Sequence, residues 1–327
     1  MDAARDYACG QQLGDLYCWG TNSLGQLDNP AAGAFSPTPV AVLEDVQSIY
    51  TGATFACANI FETYALWCWG SNDAGQLGDG STTAASSPVA VVHRGSPLSA
   101  PQASTGASHA CARTQSNQLL CWGSNEYAQL GIGGAADRDP HPVPAQVSDP
   151  EGASEALWQL VSAGTYTSCA MLVNGSLYCW GRGDLGTLCT GQLADSVVPV
   201  LTLLPALAQF SVRGSTGCAV LASYELVCWG DNADRQVGVE SYAELVAPRP
   251  LAVMPNAKIV DTTVGSTCAV SLDFELFCWG NNEYGELGLG GASDPVPTPT
   301  LVPSPEGLVW TSVAIADRAG YGEAVST

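Results

Sequence analysis

The chain has very little positive charge. Lys258 is its only lysine, and 10 basic residues stand against 31 acidic ones, for a formal net charge of −21. Because affinity for nucleic acids depends on Lys and Arg neutralising phosphates, this balance predicts no nucleic-acid partner. The same charge disfavours anionic membranes, and no apolar run reaches the roughly 18 residues that a membrane span needs, so we expect no membrane insertion.

Histidine is scarce as well, and His93, His109 and His141 are the only three. None stands at a spacing that suggests a metal-ligand pair or a base beside a nucleophile. His109 lies in a repeated apolar segment, two residues before Cys111, and we expect a structural role for it. No phosphate-binding glycine loop or calcium loop is recognisable. The sequence therefore predicts no cofactor, no metal and no enzymatic activity.

Against these absences stands a repeat. The tripeptide Cys-Trp-Gly occurs six times, and the successive tryptophans are 50, 53, 58, 49 and 50 residues apart. The six copies begin at Cys18, Cys68, Cys121, Cys179, Cys228 and Cys278. A period near 50 residues is typical of stacked repeat units, because one such unit cannot bury its apolar face alone. The longest spacing places extra residues around Ser148 to Ala156, where we expect a surface loop.

Each repeat contains segments that are typical of four short strands. In the fourth copy these are Pro142 to Ala145, Trp158 to Ser162, Ser168 to Leu172 and Leu177 to Trp180. The dipeptide Asn174-Gly175 between the last two is a strong hairpin signal, and proline in the first suits an edge strand. Helical periodicity is almost absent. Four antiparallel strands repeated at about 40–50 residues predict an all-β propeller.

A second shared stretch follows each Trp-Gly, with complete copies at Gly70 to Gly78 and Gly280 to Gly288. The pattern Trp-Gly-x-Asn-x-x-Gly-Gln-Leu-Gly, after a strand with Gly-x-x-x-x-Cys-Ala, resembles the repeat of the regulator of chromosome condensation family. The resemblance covers nearly the whole chain, and it implies a β-propeller, usually of seven blades, that serves as a docking platform. Four copies depart from the pattern, and we expect distorted turns there. The departures are Asp28, Ala128, Gly183 with Thr187 to Cys189, and Arg235 with Val237.

The strand count predicts six blades of four antiparallel strands in one domain spanning residues 1–327. Because the chain starts at Tyr7-Ala8-Cys9 in the middle of a unit, the first blade lacks two strands. Thr298 to Val302 and Val309 to Ala314 resemble those strands, so we expect residues of about 298–315 to complete the first blade. Gly320 to Val325 resembles a further strand, which leaves seven blades or a partial array as alternatives.

Twelve of the 13 cysteines form one pair in each repeat. The pairs are Cys9 with Cys18, Cys57 with Cys68, Cys111 with Cys121, Cys169 with Cys179, Cys218 with Cys228 and Cys268 with Cys278. Positions ten apart lie opposite each other in a hairpin with a three-residue loop, close to disulfide reach, whereas the separations of nine and eleven need an even loop. We predict a disulfide in every blade, and buried free thiols are the alternative.

Six disulfides indicate an oxidising compartment, so we predict a secreted or extracellular protein, with the cell surface or the periplasm as variants. Met1 to Asp6 lack the apolar centre of a signal peptide. If the protein is secreted, we therefore expect the sequence to be its mature part or an excised domain.

Three other kinds of residue are candidates for function. Cys189 has no partner in its repeat and is either a free thiol or a bridge to another chain. Asn174 begins an N-glycosylation acceptor, although the hairpin turn explains Asn-Gly without a sugar. Tyr127, Tyr242 and Tyr284 fall in loops at one rim, where tyrosine is typical of binding surfaces and equally of half-buried packing.

These observations favour a non-enzymatic extracellular module that binds a protein or a glycan through a propeller face or rim. The first alternative is a structural subunit of an extracellular assembly, with self-association through Cys189 or the termini. The less favoured alternative is a nucleotide-exchange factor for a small GTPase, the activity of the founding member of the family. That activity implies reduced cysteines and a wedge inserted in one blade, and no such insert is visible beyond the loop near Ser148.

Overall fold

The computed structural model describes residues 2–3, 7–27, 33–151, 156–240, 246–304 and 309–315. Within these ranges the chain forms strands, turns and loops, and no helix there is long and apolar enough to cross a membrane. Six four-stranded sheets follow one another along the described chain, and a two-stranded ribbon lies between the second and the third. Neighbouring strands of each sheet run antiparallel, as the sequence predicted for propeller blades.

The strands are numbered in chain order. The first sheet contains β1 (Asp2–Ala3), β2 (Tyr7–Gln12), β3 (Asp15–Thr21) and β4 (Phe35–Leu43). The second contains β5 (Val46–Thr51), β6 (Phe55–Ile60), β7 (Leu66–Gly70) and β8 (Ala85–Ala90), and the ribbon contains β9 (Val92–His93) and β10 (Ser96–Pro97). The third contains β11 (Gln102–Thr105), β12 (His109–Arg113), β13 (Leu119–Gly123) and β14 (His141–Gln146).

The fourth sheet contains β15 (Trp158–Ala163), β16 (Thr167–Leu172), β17 (Leu177–Gly181) and β18 (Ser196–Leu201). The fifth contains β19 (Leu207–Arg213), β20 (Thr216–Leu221), β21 (Leu226–Asp231) and β22 (Val246–Met254). The sixth contains β23 (Ala257–Thr262), β24 (Ser266–Ser271), β25 (Leu276–Gly280) and β26 (Val296–Leu301). The first strands of successive sheets contact one another from β1 to β23, so they line the centre of a ring. This arrangement is a β-propeller, and the predicted fold class is confirmed.

The blades begin at a different strand from the one that the sequence suggested. The Pro-bearing strand does not open the next unit but pairs with the Cys-Trp-Gly strand before it, as β26 does with β25. The chain can return because an asparagine closes the intervening loop: the Asn72 side-chain amide donates to the Ser81 and Thr83 carbonyls at 3.1 and 3.0 Å. The edge position predicted for these prolines agrees with the outer place of the strand.

This assignment of strands to blades corrects the expectation that residues of about 298–315 complete the first blade. Residues 296–301 are the outer strand of the sixth sheet, and Asp2–Ala3 is instead the inner strand of the first sheet, paired with β2. Residues 309–315 form no strand and lie beside the sixth sheet, where the Trp310 N–H donates to the Phe274 carbonyl and the Ile315 N–H to the Asp261 carboxylate. Gly320 to Val325, Asp28 and Tyr242 lie outside the described residues.

Apolar side chains fill the spaces between neighbouring sheets, and a tryptophan hydrogen bond crosses five of these interfaces. In the second to sixth copies of Cys-Trp-Gly, the indole N–H donates to a backbone carbonyl in the loop of the preceding sheet at 2.9–3.0 Å. The pairs are Trp69 with Gln26, Trp122 with Gln76, Trp180 with Gln129, Trp229 with Thr187 and Trp279 with Gln236. The Gln-Leu of the repeat therefore buries its leucine and offers its carbonyl to the next blade.

The departures from the repeat pattern do not distort the described turns. The hydrogen bond that Gly75 makes to the Asn72 carbonyl is made equally by Ala128 to Asn125 and by Arg235 to Asn232, at 2.9 to 3.2 Å. Ala128 and Arg235 adopt the left-handed backbone that glycine would occupy, with φ of 62° and 67°. The turn keeps its shape because the acceptor is a backbone carbonyl, and the cost is local backbone strain.

Polar side chains connect the inner strands at the centre of the ring. The Gln102 amide bonds both backbone groups of Val161 at 2.8 and 3.0 Å, which ties the third sheet to the fourth. The Asp2 carboxylate accepts the Thr51 N–H from the second sheet at 2.7 Å and pairs with Arg213 of the fifth sheet at 2.7 Å. Asp2 therefore connects blades that are distant in sequence.

Candidate functional site

Every blade carries one disulfide across the hairpin of its second and third strands. The structure bonds Cys9 to Cys18, Cys57 to Cys68, Cys111 to Cys121, Cys169 to Cys179, Cys218 to Cys228 and Cys268 to Cys278. In each pair the two residues are directly opposed, with Cα atoms 4.0–4.1 Å apart. The pairs ten apart enclose three-residue loops such as 173–175, and the pair nine apart encloses Leu13-Gly14. The hairpins are thus rigid supports for the turns that they carry.

Cys189 is the one free cysteine, and it lies in the core between the fourth and fifth sheets. Its side chain is fully buried, and burial raises the pKa of the thiol to about 12. A protonated thiol without solvent access cannot attack a disulfide or bridge to another chain. The structure therefore places Cys189 as a packing residue.

Asn174 lies in the turn of the fourth hairpin, and its side chain is exposed. Its Oδ1 accepts the Ser176 N–H at 2.9 Å, which stabilises the turn. This contact accounts for the asparagine, and glycosylation there stays a prediction. Of the two rim tyrosines within the described chain, Tyr284 is exposed and Tyr127 is half-buried.

His109 lies on β12 and is fully buried between the third and fourth sheets. Its Nε2 is 2.8 Å from the Ser168 hydroxyl, and that hydroxyl donates to the Gln129 carbonyl. Nε2 therefore carries the proton and donates, while Nδ1 is buried and has no hydrogen-bond partner in the described structure. Burial lowers the pKa of His109 to about 4. The predicted structural role agrees with this placement.

The other two histidines have separate hydrogen-bond partners. The His141 Nε2 contacts the Asp137 carboxylate at 2.9 Å, and the His93 Nδ1 contacts the Pro144 carbonyl at 3.1 Å. Hydrogen bonds from His141 and Asn125 hold the pKa of Asp137 below its usual value, although burial opposes them. Among the described residues, no three His, Cys, Asp or Glu side chains are grouped to hold a metal ion.

The hairpin turns lie at one end of the ring, and we call this end the turn face. A series of backbone hydrogen bonds joins each hairpin turn to the connections that enter the neighbouring sheets. The donor–acceptor pairs are Val46–Gly14, Phe61–Asp45, Trp158–Asn117, Val173–Leu157, Leu207–Gly175, Ala222–Ala206, Ala257–Tyr224 and Leu272–Asn256, at 2.7–3.3 Å. These bonds join the turns into one continuous surface. The disulfides stabilise the hairpins that carry these turns.

The turn face exposes large apolar side chains at most of its hairpins, and sequence reasoning missed them. They are Leu13, Phe61, Val173, Tyr224, Leu272 and Phe274, together with Leu157 on the connection that enters β15. The sequence signal for these exposed residues is the amino acid six positions after the first cysteine of a pair, which falls in the hairpin turn. It is Asn117 in the third repeat and Gly175 in the fourth, as a turn requires, but Tyr224 in the fifth and Phe274 in the sixth.

The opposite end carries an aromatic cluster around an arginine. The Tyr127 and Tyr166 rings lie 4.7 Å apart, and the Arg182 guanidinium lies 5.0 and 5.7 Å from their centres. Arg182 also pairs with the Asp184 carboxylate at 2.6 Å. The side chains of this cluster are already paired with one another, because the guanidinium has a carboxylate partner and both rings stack on it.

Antiparallel four-stranded blades, an inner ring of first strands and a tryptophan that bonds the preceding loop define a repeat β-propeller. Sequence profiles described as the regulator of chromosome condensation (RCC1) repeat match residues 65–113, 116–171 and 275–318, and a second profile of that repeat matches 102–129 and 158–187. Together the matches cover more than half of the chain. The chain belongs to the RCC1 repeat family.

Several curated proteins share parts of this sequence. The ultraviolet-B receptor UVR8 of Arabidopsis thaliana is 28% identical over 205 residues, which are 61% of this chain and 44% of the receptor. The probable E3 ubiquitin-protein ligase HERC4 of Rattus norvegicus is 30% identical over 102 residues, which are 31% of this chain and 9% of the ligase. The chain thus spans less than half the length of these relatives.

Solved structures share the fold at lower identity. Human WBSCR16 superposes with a TM-score of 0.81 at 16% identity, over 96% of this chain and 84% of that chain. Yeast RCC1 (Prp20), bound to Kap60, superposes with a TM-score of 0.80 at 21% identity, over 92% of this chain and 74% of that chain. The ectodomain of the receptor kinase CR4 of Physcomitrella patens gives 0.54 at 15% identity, over 95% of this chain and 65% of that chain.

Proposed function

We propose that this chain is a non-enzymatic extracellular binding module that holds a protein partner on its turn face. The observation that carries the proposal is the set of exposed apolar side chains at that end of the ring. Val173 and Leu157 of this set are neighbours joined by a backbone hydrogen bond, and exposed apolar patches are typical of interaction sites. Because each turn sits on a disulfide-bonded hairpin, little conformational freedom is lost when a partner binds.

The disulfides support the extracellular part of the proposal. Cysteine pairs of this kind persist in oxidising compartments and are rare in the cytosol. The likeness in fold to the ectodomain of a receptor kinase is in agreement with a propeller that works outside the cell. The thiol count tests this part: unreduced protein in denaturant should show one reactive thiol, that of Cys189, whereas a count near thirteen would contradict an oxidising compartment.

Site-specific photo-crosslinking tests the binding part. Benzoylphenylalanine placed at Phe61 on the turn face should capture one protein species from the culture medium of the source cells, in competition with unmodified protein. The matched control carries the same group at Val197, which is exposed on the outer strand β18. Equal capture from both positions, or none from Phe61, would contradict the proposal.

The same experiment separates the alternatives. Capture of a second copy of this chain would support a structural subunit of an assembly in place of a receptor for another protein. Capture of a small GTPase, with faster release of its nucleotide, would support an exchange factor. Yeast Prp20, whose structure this chain resembles in fold, is described as binding Gsp1p and histones.

A further inference from the structure

Four hairpin turns, those of the third to sixth sheets, share one backbone conformation. In each, the residue six positions after the first cysteine has a positive φ and donates its N–H to the carbonyl three residues before it. These residues are Asn117 (φ 60°), Gly175 (φ 83°), Tyr224 (φ 65°) and Phe274 (φ 62°). Glycine and asparagine adopt this left-handed conformation most easily, whereas a bulky side chain is strained in it. The fifth and sixth turns therefore carry the residues that suit their backbone least.

Packing within the chain does not account for the two aromatic rings. Tyr224 is 48% exposed and Phe274 is 40% exposed. The Lys258 ammonium lies 4.6 Å from the centre of the Phe274 ring, which is a contact at the surface. Strained residues that persist without burial are typical of functional sites, and exposed aromatic residues are typical of binding hot spots.

The two turns lie on either side of one connection. The Tyr224 carbonyl accepts the Ala257 N–H at 2.8 Å, and the Asn256 carbonyl accepts the Leu272 N–H at 2.8 Å. A cleft of about 390 Å³ opens beside Tyr224, lined by residues 252–256 together with Ser223 and Glu225. The cleft has the size of a pocket for one large side chain or a short peptide segment. We call this region, residues 223–225, 252–256 and 272–275, the turn patch.

The charge of the turn patch selects its partner. Glu225, Asp273 and Glu275 are exposed there, against Lys258, which is the only lysine of the chain. The patch is therefore acidic, on a protein whose formal net charge is −21. Complementary charge speeds association and excludes acidic competitors. A partner needs an apolar group for the cleft and positive charge around it.

We propose that the turn patch binds a protein segment in which a large apolar side chain is flanked by Arg or Lys. This inference rests on the proposed function and adds the position of the site and the chemistry of the partner. The apolar side chain enters the cleft beside Tyr224, the two aromatic rings pack against the segment, and the carboxylates bind its basic groups.

The test uses a random 12-residue peptide library displayed on phage, selected on the intact oxidised protein. Enriched peptides should combine Arg or Lys with Leu, Phe, Trp or Met. Their binding, measured with synthetic labelled peptide by fluorescence anisotropy, should fall at least tenfold in the double variant Tyr224→Asn, Phe274→Asn. The matched control, Val197→Asn on the outer strand β18, removes an exposed apolar residue away from the turn face and should change affinity less than twofold.

The same double variant gives a readout that a merely structural role would not produce. Asparagine relieves the left-handed strain, so the melting temperature should rise by about 1–3 °C while binding is lost. A second variant, Glu225→Lys with Glu275→Lys, leaves both rings in place and should also weaken the peptides at least tenfold. A double asparagine variant that is less stable than the wild type would contradict the strain argument.

The outcomes separate this inference from the proposed function. Enrichment of acidic peptides, or full binding by the double asparagine variant, would overturn the inference while leaving a protein-binding module elsewhere on the ring. Binding of cellohexaose at the patch, with no peptide enriched, would replace the protein segment by a glycan and overturn it as well. Absence of enriched peptides together with absence of a photo-crosslinked partner would end both proposals.

Discussion

His109 should make the fold sensitive to mild acid, and replacing it should remove that sensitivity. Protonation would place a positive charge on Nδ1, which is buried and has no acceptor among the described residues. The variant His109→Phe keeps an aromatic ring of similar size. Phe55 occupies the corresponding position of the second repeat, and both rings pack against a glycine, Gly52 or Gly106.

The magnitude follows from the pKa of the imidazole. Burial lowers this pKa from 6.5 to about 4, so the unfolded chain binds the proton more readily than the native one. The stability that neutral His109 contributes is therefore present in full above pH 6.5 and is lost progressively as the pH falls towards 4. Linkage gives a loss of about 2 kcal/mol between pH 7 and pH 5, and about 3 kcal/mol by pH 4.

The assay is urea unfolding followed by tryptophan fluorescence, with the disulfides intact, at pH 7, 6 and 5. The Phe variant should lose about 2 kcal/mol less than the wild type between pH 7 and pH 5. At pH 7 it should be weaker by about 1 kcal/mol, because the bond to Ser168 is gone. His93→Gln serves as the control and should keep the wild-type slope because it retains His109. Equal slopes for the wild type and the Phe variant would refute the reasoning.

Three other changes test a disulfide, a tryptophan hydrogen bond between blades and the burial of Cys189. Replacing Cys218 and Cys228 together by alanine should lower the free energy of unfolding by about 3 kcal/mol, since the closed loop is short, and unchanged urea midpoints would contradict this. Trp229→Phe removes the indole N–H that bonds the Thr187 carbonyl and should cost about 1–3 kcal/mol by the same assay; a neutral result would mean that this bond adds nothing. Cys189 should resist a thiol reagent at pH 8 in the native state and react on unfolding, because burial raises its pKa to about 12; fast labelling of native protein would show that the thiol is accessible.

The hairpins could be predicted closely from the sequence. Cysteines ten residues apart require an odd loop if they are to face each other, and the structure has the three-residue loop 173–175 between Cys169 and Cys179. The separation of nine requires an even loop, which is Leu13-Gly14. These features follow from the sequence because the two-residue period of a strand leaves no other register.

The strand at which each blade begins could not be predicted in this way. A repeat has a period but no marked beginning, and the Pro-bearing strand is equally close in sequence to the units on both sides. The choice depends on tertiary contacts such as the Asn72 bonds that fold β8 back onto β7. The sequence therefore predicts that residues of about 298–315 complete the first blade, whereas the strand found there, Val296–Leu301, pairs within the sixth sheet.

The turn patch was hidden for a related reason. Tyr224 and Phe274 look like ordinary apolar residues of a β-rich chain until the backbone conformation at their position is known. The strain appears only when the turn is aligned with those of Asn117 and Gly175. The burial of Cys189 was equally invisible, because its loop lies in the space between two sheets.

The disulfides all lie inside single hairpins, and the two cysteines of a pair are at most 11 positions apart in the sequence. If the two ends of the molecule were pulled apart, none of these bonds would carry load across a seam between blades. Under tension the ring would open at the non-covalent interfaces, where indoles meet carbonyls, and each released blade would still keep one closed loop. Tension therefore separates the blades before it unfolds them. A stretched molecule would keep six disulfide-bonded hairpins, from which the ring can reassemble.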